Sequence, residues 1–403
     1  MSKGPNKPLA GIRILDLTHM VSGPFGGMVL ADMGAETIKV EPLQGEGTRK
    51  WCENDPEMSI DGMGVYFMTL NRNKKSVAID LKTPDGLELF YDLVRVSDVV
   101  LNNFGAGVPE RLKIDFDSLS QVNPGIITCS ITGYGSDGPD NQRAAFDIVA
   151  QATSGMMSVT GTDVDHPVRT GTPVADIGAG IFAATGILAA IVERQTSGLG
   201  QHVDISMLDC QLSVLNYLVS MYGFTGNDPV PMGNSHIVHV PYNNYVTADG
   251  FIVIAVLTDS FWQNLKKVLC CEDLNDHRFD SPAGRVAHRD FIEQKINEIL
   301  PTQSSRHWLD RLRSYRVPAG PVNRMSEALQ DPQLLHRNMV IDIKHPNGET
   351  RKAAGNPIKM SRSNEESFSP APLLGQDTDE VLYSLLNYDA ARIQDLKTKG
   401  VIG

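Results

Sequence analysis

At 403 residues the chain exceeds a single small module, and its 41% of hydrophobic residues suffices for large cores. Lys and Arg total 36 against 48 Asp and Glu, a formal net charge of −12, which argues against general nucleic-acid binding. The longest charge-free apolar run, Ile177 to Val192, falls short of the roughly 18–20 residues of a membrane span. The first residues, MSKGPNKPLAGIRILDL, hold no uninterrupted apolar stretch and no small-residue cleavage site. The expectation is a cytoplasmic protein with no membrane partner. Cys52, Cys129, Cys210, Cys270 and Cys271 lack C-x-x-C spacing and read as reduced, mostly buried thiols.

In chain order, Ile12–Leu17 reads as a strand, Gly26–Met33 as a helix and Thr37–Glu41 as a strand. Val77–Leu81 reads as a strand, and Pro84 behind Thr83 opens a helix with Leu87, Phe90, Leu93 and Val94 on one face. Asp98–Leu101 and Ile126–Ile131 are further strands. This alternation predicts an α/β fold: a Rossmann-like large domain with a mostly parallel sheet. Residues 177–194 form a helix rich in glycine and alanine, which lets neighbouring backbone approach closely. After Phe224 a loop-rich stretch leads to strands at Asn244–Thr247 and Phe251–Leu257, then helices near Phe261, Arg289–Leu300 and Trp308–Tyr315. These predict a smaller α+β domain. The domain expectation is 1–224 for the first part of the large domain, 225–325 for the small one, and 326–403 for a tail returning to the first. That tail holds a hairpin at His345–Gly348 and two helices after Gly375.

Several constellations have chemistry to offer. Gly133-Tyr134-Gly135-Ser-Asp-Gly138 spells G-x-G-x-x-G after a strand, but Pro139 follows at once, so no helix opens at the third glycine as dinucleotide binding requires. Arg49, Lys50, the run Arg72 to Lys75, and Arg111 are either a solvated face or a set of phosphate ligands. Asp176 is either an N-cap for a helix starting at Ile177 or a nucleophile held ionised at that helix N-terminus. His236 and His239 are too few for a metal site, and no H-E-x-x-H, G-x-S-x-G or Walker loop occurs.

Taken together, LAGIRILDLTHMVSGPFGGMVLADMGAETIKVE, LNRNKKSVAIDLKTPDG, VLNNFGAGVPERL, FDIVAQATSGMMSVTG, GTPVADIGAG, TSGLGQHVDISMLD and APLLGQDTDEVL resemble the class III CoA-transferase family, the CaiB/BaiF-like acyl-CoA transferases. The resemblance runs in order from Leu9 nearly to the C-terminus. It implies an interlocked dimer, normally of identical chains, with a hetero-oligomer of related subunits as the alternative. It implies Asp176 as the nucleophile, forming an acyl anhydride and then an aspartyl-CoA thioester. It implies coenzyme A contacts at Met20, Val21, Ser22, Ile79, Lys82, Asn103, Phe104, Gly105, Arg111, Ile131, Gly133, Tyr134 and Gly135. Backbone amides near Asp176 are expected to stabilise the oxyanions. Acyl-CoA is then a substrate, with no tightly bound cofactor and no metal.

Racemases of the superfamily carry a histidine where Phe146 stands, and phenylalanine transfers no proton. Oxalate-specific members carry glutamine at Val21 and a glycine-rich loop at Ser235–His239, so His236, Ile237 and His239 are expected to line a pocket for a larger acid. The expected donor is succinyl-CoA or acetyl-CoA, and the expected acceptor a dicarboxylate such as a benzylsuccinate-like acid. The alternatives are an acyl-CoA racemase and a non-catalytic subunit.

Overall fold

The first strand, β1 (Arg13–Asp16), is buried on both sides because successive side chains of a strand point to opposite faces. Ile14 enters one apolar core and Leu15 the other, the signature of a central parallel strand covered by helices on both faces. In chain order there follow α1 (Ser22–Asp32), β2 (Glu36–Glu41), β3 (Lys74–Ala78), α2 (Pro84–Arg95), β4 (Val99–Asn102), α3 (Val108–Leu112) and β5 (Ile127–Thr132). Then come α4 (Asp147–Thr153), α5 (Val174–Ser197), β6 (His202–Ser206), α6 (Met207–Leu215) and α7 (Tyr217–Thr225). The strands form a six-stranded sheet of order β3-β2-β1-β4-β5-β6, parallel throughout. The structure, a computed structural model, describes residues 7–363 and 367–403.

Local chemistry accounts for most of these boundaries. Thr83 caps α2 by accepting a hydrogen bond from the Gly86 N–H at 3.0 Å, with Pro84 at the first helical position. Leu89, Phe90, Leu93 and Val94 form its buried face. Strand β3 begins earlier than its apolar residues suggest. Its first residue, Lys74, is buried and saturated by the Asp16 carboxylate at 2.7 Å, the Pro24 carbonyl at 3.0 Å and the Asn71 side chain at 2.9 Å. Burial pushes the Lys74 ammonium down to about 8, against the pull of Asp16. A lysine satisfied in this way reads as loop in a hydropathy pattern. Strand β6, at the sheet edge, has exposed residues alternating with partly buried ones and carries no strong apolar signal.

Helix α5 is 24 residues long, starts before Ile177, and stops at Gly198, whose φ of 75° is left-handed. By length and composition it is apolar enough to cross a membrane, yet Ala179, Ala183 and Ile187 are fully buried in the core over β4 and β5. Its small residues serve one contact above all. A Cβ added at Gly180 would stand 2.6 Å from the Ser22 carbonyl oxygen, and one added at Gly26 would stand 2.8 Å from the Gly180 carbonyl oxygen. Helices α1 and α5 therefore touch backbone to backbone.

Among the described residues, 7–156, 169–225, 336–363 and 367–403 form one compact unit, and residues 157–168 and 226–335 a second. The strip 157–168 joins the second unit, where the Gly233 N–H donates to the Gly161 carbonyl at 2.8 Å; no composition shift announces this. The second unit has an antiparallel three-stranded sheet of β7 (Tyr242–Val246), β8 (Phe251–Ala255) and β9 (Ala319–Pro321), with β8 in the middle. Helices α8 (Asp259–Leu269), α9 (Arg289–Ile299) and α10 (Ser305–Ser314) pack on it around Trp262, Ile292 and Trp308. In the tail, β10 (Val340–Lys344) and β11 (Thr350–Ala354) make a hairpin. Helices α11 (Thr378–Leu386) and α12 (Ala390–Thr398) bury Val381, Leu382, Ile393 and Leu396 in the first unit's core. All five cysteines are free, and only Cys129 and Cys210 are buried, so the thiols are less enclosed than their composition suggests.

Replacing Gly180 with alanine is expected to cost about 1–3 kcal/mol, because the added methyl meets main chain that cannot rotate away. A thermal melt would show a lowered Tm; an unchanged Tm would mean that the contact relaxes freely.

Candidate active site

Parallel strands deliver all their C-terminal ends to one edge, and the helices that follow start there. Ligands of such sheets bind where the strand order reverses, which here is between β1 and β4. The two loops at that point are stitched together. Asn103 Oδ1 accepts from the His19 N–H at 2.9 Å, while its Nδ2 donates to the His19 carbonyl at 2.8 Å. Met20, in a left-handed conformation with φ 65°, turns the chain into α1, and Asn103 Nδ2 also reaches Ser22 Oγ at 3.4 Å. The His19 and Phe104 rings lie 5.8 Å apart. Burial lowers the His19 pKa. His19 was not among the residues singled out from the sequence, where a lone histidine in a loop carries no signal.

Of the positions expected to meet coenzyme A, Met20, Val21, Ser22, Asn103, Phe104, Gly105 and Gly135 lie in loops or at a helix start on this edge. Lys82 and Arg111 are exposed, and among the described residues neither has an ion-pair partner. Ile79 and Ile131 differ: both side chains are in apolar cores, at 1% and 2% exposure, so they hold strand ends in place and offer a ligand no side chain. Gly133 is packed against Ala145, where an added Cβ would stand 2.4 Å from the alanine methyl. The Tyr134 hydroxyl is buried without a hydrogen-bond partner. No helix follows Gly138 until α4. A cavity of ≈ 520 Å³ opens beside Phe104, Gly105 and Gly135, floored by Ser130, Thr132 and His202.

Most of the other basic residues are committed elsewhere, which corrects the phosphate reading of that cluster. Arg49 grips Glu41 through two nitrogens at 2.6 and 2.7 Å. Arg72 pairs with Asp32 at 2.8 Å, Lys74 with Asp16, and Lys75 with Glu36 at 3.2 Å. They hold the sheet and its helices together from inside.

Helix α5 connects two parallel strands and so runs back against them, which brings its first turn to the same edge. Asp176 lies in that turn. The N-cap is Pro173, which has no side-chain acceptor, so Asp176 is not the cap. The first helix N–H groups are nonetheless taken. Val174 donates to the Thr172 carbonyl at 2.8 Å and Ile177 to the Pro173 carbonyl at 3.0 Å. Ala175 and Asp176 donate to Asp147 Oδ1, on α4, at 2.8 and 3.4 Å. These amides are therefore not free to bind an oxyanion, which corrects the expectation that backbone amides near Asp176 do so. Gly180, one turn on, abuts the Ser22 carbonyl, so the start of α1 and Asp176 are neighbours. Burial first, and the Asp147 carboxylate second, push the Asp176 pKa up to about 7. The sequence argument for a carboxylate held ionised by the helix dipole is thereby reversed.

In the second unit, Ser235–His239 is a held loop. Arg289 Nη2 donates to the His236 carbonyl at 2.8 Å, and Asn243 Nδ2 to Ser235 Oγ at 3.1 Å. The His236 and His239 rings are 4.6 Å apart. Burial, then His239 and Arg289, push the His236 pKa down, and its Nδ1 accepts from the Val238 N–H at 3.1 Å. Ile237 is exposed.

A nucleotide-scale cavity, exposed cations and a half-buried carboxylate on one edge match an acyl-CoA enzyme, and comparison with known proteins agrees. The sequence profile of CoA-transferase family III matches residues 9–378. The chain belongs to CoA-transferase family III. It is 38% identical over 397 residues to the succinate–glutarate CoA-transferase of Agrobacterium fabrum, covering 96% of this chain and 98% of that one. It is 36% identical to the succinyl-CoA:mesaconate CoA-transferase of Haloarcula hispanica, covering 93% of this chain and 95% of that one. A CaiB/BaiF family protein from Brucella suis superposes with a TM-score of 0.84 at 34% identity, over 94% of this chain and all of that one.

Because the native Asp176 pKa lies above that of the unfolded chain, the folded state holds the extra proton. Its stability falls as pH rises from about 4 through 7. Asp176→Asn is therefore expected to raise Tm at pH 8, by up to a few kcal/mol of stability, and to have little effect at pH 4. Melts across that range would check it; a gain independent of pH would contradict the raised pKa.

Proposed function

We propose that this CoA-transferase moves coenzyme A from succinyl-CoA to a dicarboxylic acid through covalent intermediates on Asp176. The observation that carries the reading is the Asp176 carboxylate itself: half-buried, unbonded to its helix, and one helical turn before the Gly180 contact with Ser22. A carboxylate oxygen attacks the thioester carbonyl and the C–S bond breaks, leaving an anhydride and a CoA thiolate. The thiolate then attacks the aspartyl carbonyl of the anhydride, releasing succinate and leaving an aspartyl-CoA thioester. The acceptor carboxylate attacks that thioester, and thiolate return to the acceptor carbonyl frees Asp176. Every step exchanges one acyl–oxygen or acyl–sulfur bond for another, so no redox change and no net proton are involved.

In this reading coenzyme A lies across the β1/β4 edge, with Met20–Ser22 and Asn103–Gly105 beneath it and Lys82 and Arg111 on its phosphates. The relatives named for glutarate and mesaconate support a dicarboxylate acceptor. A benzylsuccinate-like acid belongs to the same chemical class, and His236, Ile237 and His239 are assigned to the pocket that selects among such acids. Phe146, exposed at the start of α4, supplies no proton and disfavours racemisation. The apolar side chains exposed on α6 and α7, among them Leu212, Tyr217, Tyr222 and Phe224, suit a surface covered in a homodimer.

Incubation with succinyl-CoA alone, followed by hydroxylamine, is expected to convert Asp176 to a hydroxamate detectable by peptide mass spectrometry. With glutarate, mesaconate or benzylsuccinate added, new thioesters should form. Transfer that persists undiminished in Asp176→Ala defeats the proposal. Arg111→Ala should raise KM for the acyl-CoA about tenfold, as loss of one charge-assisted phosphate contact predicts, and the difference from wild type should shrink at high salt.

A further inference from the structure

The cap on α5 comes from a different helix and is a carboxylate. Asp147 Oδ1 accepts the Ala175 and Asp176 N–H groups at 2.8 and 3.4 Å, and Oδ2 accepts from Gln151 Nε2 at 2.7 Å. Gln151 has no solvent exposure, and its Oε1 accepts the Thr170 N–H at 3.0 Å. Backbone and glutamine together therefore fix which way the Asp147 carboxylate faces. For stability alone this is a poor choice. A serine or asparagine caps a helix as well as an aspartate does, and a second carboxylate beside Asp176 disfavours ionisation of Asp176.

Two effects on Asp176 follow from that arrangement. The helix N–H groups, which would otherwise bind and stabilise the Asp176 carboxylate, are already occupied. The neighbouring negative charge also makes loss of the Asp176 proton harder. Of the titratable or charged groups on the elements around the start of α5, Asp147 is the one whose charge raises the Asp176 pKa. The others are Asp32 on α1, Asp209 and Cys210 on α6, Cys129 on β5, His202 and Asp204 on β6, and Arg169 in the preceding loop. A thioester releases a thiolate of pKa about 8.5, so an ordinary carboxylate of pKa about 4 is expelled from the tetrahedral adduct far more readily than the thiolate is. A more basic carboxylate narrows that gap.

We propose that Asp147 is a positioning residue for the Asp176 nucleophile: by capping α5 with its own charge it leaves the Asp176 carboxylate unsolvated by the helix and correspondingly reactive. This rests on Asp176 being the nucleophile. Gln151 and Thr170 complete the device by locking Asp147 in register.

The test separates charge from structure. Asp147→Asn keeps an oxygen for the Ala175 N–H but sets its amide against that of Gln151. The double variant Asp147→Asn, Gln151→Glu restores every hydrogen bond: the new amide donates to the new carboxylate, which still accepts from Thr170. The negative charge moves one link away from Asp176. The rate of covalent labelling by succinyl-CoA and the pH dependence of kcat are measured on the full-length protein, with wild type and Asp176→Ala in parallel. In both Asp147 variants the rising limb of the pH profile should move down by about one unit, and the rate at pH 8 should fall about tenfold, a unit being a factor of ten.

A double variant with the wild-type limb and rate would show that Asp147 serves structure alone and would overturn the inference. So would a wild-type limb already centred below pH 5, a result available even if no variant folds. Full transfer by Asp176→Ala would instead remove the nucleophile reading on which the inference stands.

Discussion

The backbone contact between α1 and α5 governs the geometry of the C-terminal edge of the sheet. Gly26 and Gly180 let two helix main chains meet with nothing between them, and both helices begin at the C-terminal edge of the sheet. The Ser22 carbonyl at the start of α1 is thereby held against Gly180, one helical turn after Asp176. A larger residue at either glycine would force the helices apart by about the width of a methyl group, a displacement that positioned chemistry tolerates poorly. Packing and chemistry are therefore set by the same contact.

Charge is distributed with equal economy. Asp16, Lys39, Glu41, Arg49 and Lys74 are all buried beneath the edge loops and satisfy one another or nearby carbonyls. Lys39 Nζ, for example, donates to the Thr18 carbonyl at 2.7 Å and steadies the chain just before His19. Such networks add little net stability over apolar packing, yet they penalise every alternative arrangement that would leave a buried charge unpaired. Lys82 and Arg111, which have no ion-pair partner among the described residues, lie at the surface where an anionic ligand can reach them. Asp176 is the opposite case: a half-buried carboxylate with neither a cation nor a helix N–H among the described residues, its pKa pushed up to about 7 by desolvation and by Asp147.

How legible this was in the sequence varied by element. The central strands and α2 were visible because burial on both faces gives uninterrupted apolar runs, and because the Thr83-Pro84 start obeys local capping rules. The start of β3 and the whole of β6 were not. Lys74 is buried through its pairing with Asp16, 58 positions away, and β6 is an edge strand with a polar alternate face. The same distinction holds at the site. The motif around Asp176 pointed to a special carboxylate, and the strand-end loops to ligand contacts. Ile79 and Ile131 proved to be core residues, and the basic cluster proved largely structural, because sequence order does not tell which way a side chain faces.

By itself, the sequence determined the alternating β/α order, the parallel sheet that such an order must form, the glycine-lined helix behind Asp176, and membership of a family whose motifs run along nearly the whole chain. Those features are local or cumulative, so they survive being read one residue after another. Only the tertiary structure decided who caps α5, which charges are spent inside, and whether the Asp176 carboxylate is stabilised or left exposed to its neighbour's field. Asp147 reaches Ala175 across 28 positions, and hydrogen bonding and Coulomb interaction act through space. The electrostatic setting of Asp176 is therefore fixed by groups that its own stretch of sequence does not contain.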